Sequence, residues 1–169
     1  QLVAEIGNYC KHEGIGLLLK LMVATPIQEK NVPVTLAGTA GAPALSSVAQ
    51  FQLDQLTAAT EMARLVSVLA LQDPQDALAA ATLTAELDIP WIVALEPQTD
   101  YNSLKEVLRM TLDNGAQGFM VDEALWQEVY QLRAEDDHSP DWVKIGEFLG
   151  TTVRDRAIEL ARIADEAGL

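Results

Sequence analysis

Cysteine is almost missing from this chain. Cys10 is the single one, so no internal disulfide can form and a reducing compartment is the natural fit. Aromatic residues make up only 5%. Positive charge is also scarce: 11 Lys and Arg stand against 25 Asp and Glu, a net charge of −14. A surface of that sign cannot neutralise a phosphate backbone or an anionic bilayer, which argues against nucleic-acid and membrane-surface partners. No apolar run is long enough to cross a bilayer, and no secretory leader pattern is visible. The expectation is an acidic cytoplasmic protein without membrane insertion.

What is present suits helices packed on a sheet. Of 169 residues, 49% are apolar, which is enough for one domain with a sizeable core. Leu2, Ile6 and Tyr9 fall at helical spacing, and Gly14 is placed to cap that helix. Residues 15–23 form an apolar run broken only by Lys20, the pattern of a strand buried on both faces. Residues 24–47 carry Pro, Gly, Thr and Ala without periodicity, an irregular loop segment of unusual length. A helix over 50–63 and a strand over 66–71 follow. Asp73 and Pro74 read as N-cap and first turn of the next helix. Trp91–Leu95 reads as a strand. Ser103 and Glu106 read as a capping box for a helix burying Leu104, Val107, Leu108 and Leu112. Asn114 and Gly115 end it before a strand at Phe119–Val121. A helical turn over 124–132, a polar loop and a last helix from Thr151 or Thr152, burying Ala157, Leu160, Ala161 and Ala164, complete the chain.

Four strands alternating with helices imply a parallel sheet with right-handed crossovers, an α/β fold. Four such units are half of a (β/α)8 TIM barrel, and the chain reads as roughly its last four. The expected organisation is a single domain over 1–169, the C-terminal half of a barrel. Both outer strands would offer unpaired edges, so an upstream half, other protein subunits or a homo-oligomer is expected to cover them.

The segments IPWIVAL, GAQGF and ALWQEV, with AEIGNYCKHEGIGLLLKLMV and MARLVSVLALQDP upstream, carry a resemblance. They are similar to the closing half of the class I tagatose-bisphosphate and sulfofructose-phosphate aldolases. The resemblance implies a TIM barrel whose sixth strand bears a lysine that forms a Schiff base with a ketone substrate. At that position this chain has Ala70, and a methyl group is no nucleophile. The family's glutamate on the fifth strand aligns with Lys20. The phosphate-facing Ser-Ala-Gly of the seventh strand is replaced by Leu95, Glu96 and Pro97, and a proline has no N–H to donate. The Gly-Arg of the eighth strand is replaced by Asp122 and Glu123, two carboxylates where a guanidinium would hold phosphate.

Two expectations follow. One is a catalytically silent aldolase-like domain, a pseudoenzyme that serves as a binding or scaffolding part of a larger assembly and needs no cofactor. The other is an active aldolase or lyase acting on a sugar phosphate or keto sugar through a relocated Schiff-base Lys20. Such a lysine would be desolvated in a barrel or would pair with a carboxylate such as Glu96. Glu96, Asp122 and Glu123 are the candidate ligand-binding residues for a small carbohydrate-like molecule. The same three could approach a divalent cation, though no metal site is assigned. His12 and His138 sit in no metal-spaced motif and are read as exposed. Cys10 lacks a basic neighbour at helical spacing and reads as structural. Trp91, Trp126 and Trp142 read as core or interface aromatics. Gly38 and Gly41 lack the Lys-Ser/Thr ending of a phosphate loop. A further reading makes residues 24–47 a docking element for a neighbouring protein.

Overall fold

The computed structural model describes residues 1–24, 46–97, 100–134 and 139–168. Most of the irregular segment at 24–47 lies outside the described residues, as do His138, Gly38 and Gly41. The element order is α1 (Leu2–His12), β1 (Leu18–Leu21), α2 (Ser47–Ala63), β2 (Val68–Leu71), α3 (Ala77–Glu86), β3 (Trp91–Leu95), α4 (Tyr101–Asp113) and β4 (Phe119–Val121). Two 3-10 turns (Glu123–Leu125 and Gln127–Gln131) then lead to α5 (Trp142–Phe148), a π turn (Leu149–Val153) and α6 (Arg154–Glu166). The four strands form one parallel sheet in the order β1-β2-β3-β4.

Every strand alternates between two faces, as the pleat requires. Leu69, Leu71, Trp91, Val93 and Leu95 join the main core with Ala59, Ala80, Leu83, Leu104, Leu108, Leu112 and Leu160 from the covering helices. Burying each of the large aliphatic groups contributes roughly 1.5–3 kcal/mol, so this layer holds the domain together. Trp91 is 2% exposed, and its indole N–H donates to Thr84 Oγ1 at 3.0 Å. The Thr84 hydroxyl in turn donates to the Asn114 carbonyl at 2.7 Å. The Pro-Trp strand is thereby tied at its base to α3 and to the turn that ends α4. Gly115 sits in that turn at φ +100, and an added Cβ would lie 2.4 Å from Thr84 Cγ2.

Several expectations need correction. β1 is four residues long and lies at the sheet edge, not buried on both faces: Leu18 is 47% exposed. The cap of α3 is Asp76, whose carboxylate accepts from Ala79 N, while Asp73 sits before a Gln75 held at φ +75. The Asp-Pro pair thus shapes the loop above β2, not the helix start. Asp100, not Ser103, caps α4, accepting from Ser103 N at 3.0 Å. The last helical segment begins at Trp142, and the π turn joins α5 to α6 without a break in helical backbone. Its buried face is Ile145, Leu160 and Ile163, whereas Ala157 and Ala161 face solvent. Trp142 is 75% exposed and belongs to no core.

Candidate functional site

The residues between the core-facing ones point to the opposite, inner side of the sheet. Alternation places Leu18, Lys20 and Met22 there from β1 and its extension, with Val68, Ala70 and Gln72 beside them. Ile92, Ala94, Glu96, Met120 and Asp122 complete the face from β3 and β4. Register brings Lys20 next to Ala70, and Ala70 next to Ile92. Leu95 pairs with Val121, so Glu96 and Asp122 follow as neighbours at the C-terminal rim, where barrel folds keep their chemistry.

Ala70 has no accessible surface. Lys20 is half-buried, and the ion pair to Glu96 envisaged from sequence is absent: no carboxylate among the described residues lies within 4.0 Å of its ammonium. Glu96 is instead reached by Gln72, whose Nε2 lies 3.5 Å from Glu96 Oε2. The same Gln72 side chain accepts from Val23 N at 2.7 Å, and its main-chain carbonyl accepts from the buried Gln55 amide at 2.9 Å. Gln72 therefore laces the ends of β1, β2 and β3 together. Asp122 is exposed and turns back on its own chain, accepting from Glu123 N at 2.6 Å to cap the first 3-10 turn. Among the described residues no three His, Cys, Asp or Glu side chains converge as a metal would require, so Glu96, Asp122 and Glu123 are not gathered around a common point.

Asp73, beside Gln72 on the same rim, is a residue that sequence reasoning assigned only to helix capping. Burial raises its carboxyl above the ordinary carboxylate value, with Asp76 nearby pushing the same way and the bond from Gln75 N opposing. The adjacent positive φ of Gln75 marks a strained loop at the mouth of the sheet.

A second polar cluster lies where α4, the 3-10 turns and α6 meet. Arg156 donates through both terminal nitrogens to Glu128, at 3.0 and 2.7 Å, and also to the Leu125 carbonyl. Its guanidinium stacks 4.9 Å from the Tyr101 ring centre, and the Tyr101 hydroxyl donates to the Arg156 carbonyl. Lys105 pairs with Glu159 at 3.0 Å. The Arg156 hydrogen bonds hold Glu128 below the usual carboxylate range, and the Lys105 bond does the same for Glu159. Burial, with Glu159 nearby, pushes the Tyr101 phenol up to about 12. A cavity of about 290 Å³ opens here, walled by Asp100, Glu128, Gln127 and Gln131 beside Arg156. Its one guanidinium is already committed to Glu128, so the cluster staples α6 to the domain and offers little to an anion. Only three-dimensional proximity reveals it, because residues 101, 128 and 156 share no local motif.

His12 is exposed and pairs with the adjacent Glu13, and Cys10 is a half-buried free thiol at the edge of a separate hollow at the base of the sheet. Among the described residues no helix is long and apolar enough to cross a membrane.

With this geometry in place, comparison with known proteins bears on the fold. No protein-family model matches the chain, and no curated protein matches its sequence. Among solved structures, the crystal structure of an archaeal fructose 1,6-bisphosphate aldolase is similar to it, with a TM-score of 0.54 and 16% identity. The match covers 89% of this chain and 50% of that one, so the chain spans about half the length of its structural neighbour. The chain is thus an α/β domain with the architecture of a partial (β/α) barrel, aldolase-like in fold.

Proposed function

We propose that this domain is a catalytically silent aldolase-like half barrel, a cytoplasmic binding or scaffolding component of a larger protein assembly. The observation that carries the reading is the inner face at Ala70. Where the resembling family carries its nucleophile there is a methyl group without accessible surface. The rim around it supplies carboxylates and an amide, Glu96, Asp122, Glu123 and Gln72, with the ammonium of Lys20 lower on the same face. Pro97 also removes a main-chain donor. A small uncharged, carbohydrate-like ligand remains compatible with such a rim, whereas a bisphosphate is repelled by it.

A second reading is favoured by one specific feature. Lys20 sits in register with Ala70 on the adjacent strand and on the same face, one strand away from the position of the resembling family's nucleophile. Glu96 or Asp122 would then serve in proton transfer. Aldol cleavage of ketose bisphosphates and of unphosphorylated keto sugars, followed in a coupled assay, separates the two. No turnover above the buffer rate is expected. Enzyme-like cleavage abolished by Lys20→Met would replace the first reading with the second.

A further inference from the structure

The helical layer of this domain is charged very unevenly. α4 carries four charged residues in 13, and α6 seven in 13. α2 carries two in 17 and α3 one in 10, and those three, Asp54, Glu61 and Glu86, are all acidic. In a chain of net charge −14, two neighbouring helices thus present a face nearly without charge. Both already spend their inner sides on the core: Phe51, Gln55 and Ala59 from α2 are buried, as are Ala80 and Leu83 from α3. The outer side is apolar nonetheless. Val48 is 45%, Leu53 44% and Leu78 78% exposed. A helix that is apolar all round is ordinarily covered all round.

Between the two helices lies a hollow of about 210 Å³, walled by Gln52, Leu53, Leu56, Ala79, Thr82 and Leu83, with Leu78 at its edge. Its polar groups are already engaged. Gln52 donates to the Pro74 carbonyl and to Asp76, and Asp76 caps α3. The Gln55 amide donates to the Gln72 carbonyl, and the Thr82 hydroxyl to the Leu78 carbonyl. What remains for an occupant is an aliphatic lining, which suits an apolar side chain.

We propose that the α2–α3 face is a contact between two copies of this chain related by a two-fold axis, with Leu78 of each copy seated in the other's hollow. The projecting leucine and the receiving hollow lie on one face, as a self-complementary two-fold contact requires. Charge selects the same occupant. A different partner of an acidic protein gains by bringing cations to its carboxylates, and this face has few to meet them. A second copy carries the same −14, so only a face poor in charge lets the two approach without repulsion. Two helices of this length side by side offer a footprint of roughly 500 Å² per copy, at the lower limit of specific interfaces. The dimer is accordingly weak, with a dissociation constant of roughly 10–100 μM. The inference names one partner for the assembly in the proposed function and rests on that part of the reading, not on catalytic silence.

The test is sedimentation velocity of the intact protein, purified from its source, across that concentration range and at low and high salt. A monomer–dimer equilibrium is expected, and salt should tighten it by screening the −14 charge. Leu78→Lys and Leu53→Lys should each weaken the dimer at least about 10-fold, because each puts an unpaired charge into the contact. Both positions are exposed in the single chain, so thermal melting of dilute protein should stay unchanged. Leu2→Lys, at an exposed leucine on α1 away from this face, should leave the equilibrium as it is. A dimer that survives both α2–α3 substitutions, that Leu2→Lys dissolves, or that salt loosens overturns the proposal. A chain that sediments with another polypeptide but never with itself also overturns it, while the assembly reading stands. A lone monomer throughout overturns both. Turnover enters none of these outcomes, so the aldol-cleavage assay decides catalytic silence separately.

Discussion

The two faces of one sheet, made from alternate residues of the same four strands, differ in what they keep. The helix-covered face carries Leu69, Leu71, Trp91, Val93 and Leu95, each at most 3% exposed, in one continuous core. The inner face carries Lys20, Ala70, Gln72, Glu96 and Asp122, a mixture of sizes and charges with exposed Leu18 and Met22 beside it. Fold and chemistry are written on separate registers of the same strands. One register packs the core of an aldolase-like architecture while the other is free of that packing duty.

The sharpest way to break this contrast is to truncate one residue on each face. Leu69→Ala is expected to cost about 3 kcal/mol in urea unfolding, since it empties a sealed core. Glu96→Gln should stay within about 0.5 kcal/mol, because its single long contact to Gln72 can be kept. Equal losses would mean that the inner face contributes to folding as the outer one does.

Next in size is Gly115→Ala, expected to cost about 2 kcal/mol. The substitution places a side chain at φ +100 against Thr84 and disturbs the Trp91–Thr84–Asn114 chain. Trp fluorescence during thermal melting would report it.

Arg156→Ala tests the staple behind the inner face, with an expected loss of about 1–2 kcal/mol after allowing for the partial exposure of Glu128. The pH dependence follows from sign. Glu128 and Glu159 have folded-state pKa values lowered below the ordinary carboxylate value, so their stabilisation is present above that value and is lost as pH falls through the folded one. Acid denaturation curves of the variant should accordingly be flatter than those of the parent.

Asp73→Asn is the smallest effect, a gain within about 1 kcal/mol at neutral pH. Its folded-state pKa is raised, so the folded form prefers the proton and ionisation costs stability above that pKa. The amide keeps an acceptor for Gln75 N and removes the charge. A melting temperature that falls instead would assign Asp73 a favourable role at the rim.

The strand–helix alternation was legible because each element carried its own period: four apolar strands, a clear buried face on α4 and a Gly turn at Asn114-Gly115. Helix starts were harder. Asp73, Asp76, Asp100 and Ser103 are all good caps by type, and only backbone geometry distinguishes the residue that caps from the one that shapes the loop. β1 was misread as doubly buried because an edge strand of a half barrel keeps the apolar text of an interior strand. Lys20, Ala70 and Glu96 were singled out through the family resemblance, and strand alternation places all three on one face of the sheet. Gln72 follows two residues after Ala70, so period-2 reading could have found it. The Tyr101, Glu128 and Arg156 cluster could not be read, because its members meet only through the packing of α4 and α6.

The central claim is that the inner face does no Schiff-base chemistry. The direct measurement is to incubate the protein with a ketose bisphosphate and with several keto sugars in the presence of sodium borohydride, then weigh the intact chain and map its peptides. The account expects an unchanged mass. A reduced-imine adduct on Lys20, lost in Lys20→Met, would contradict it.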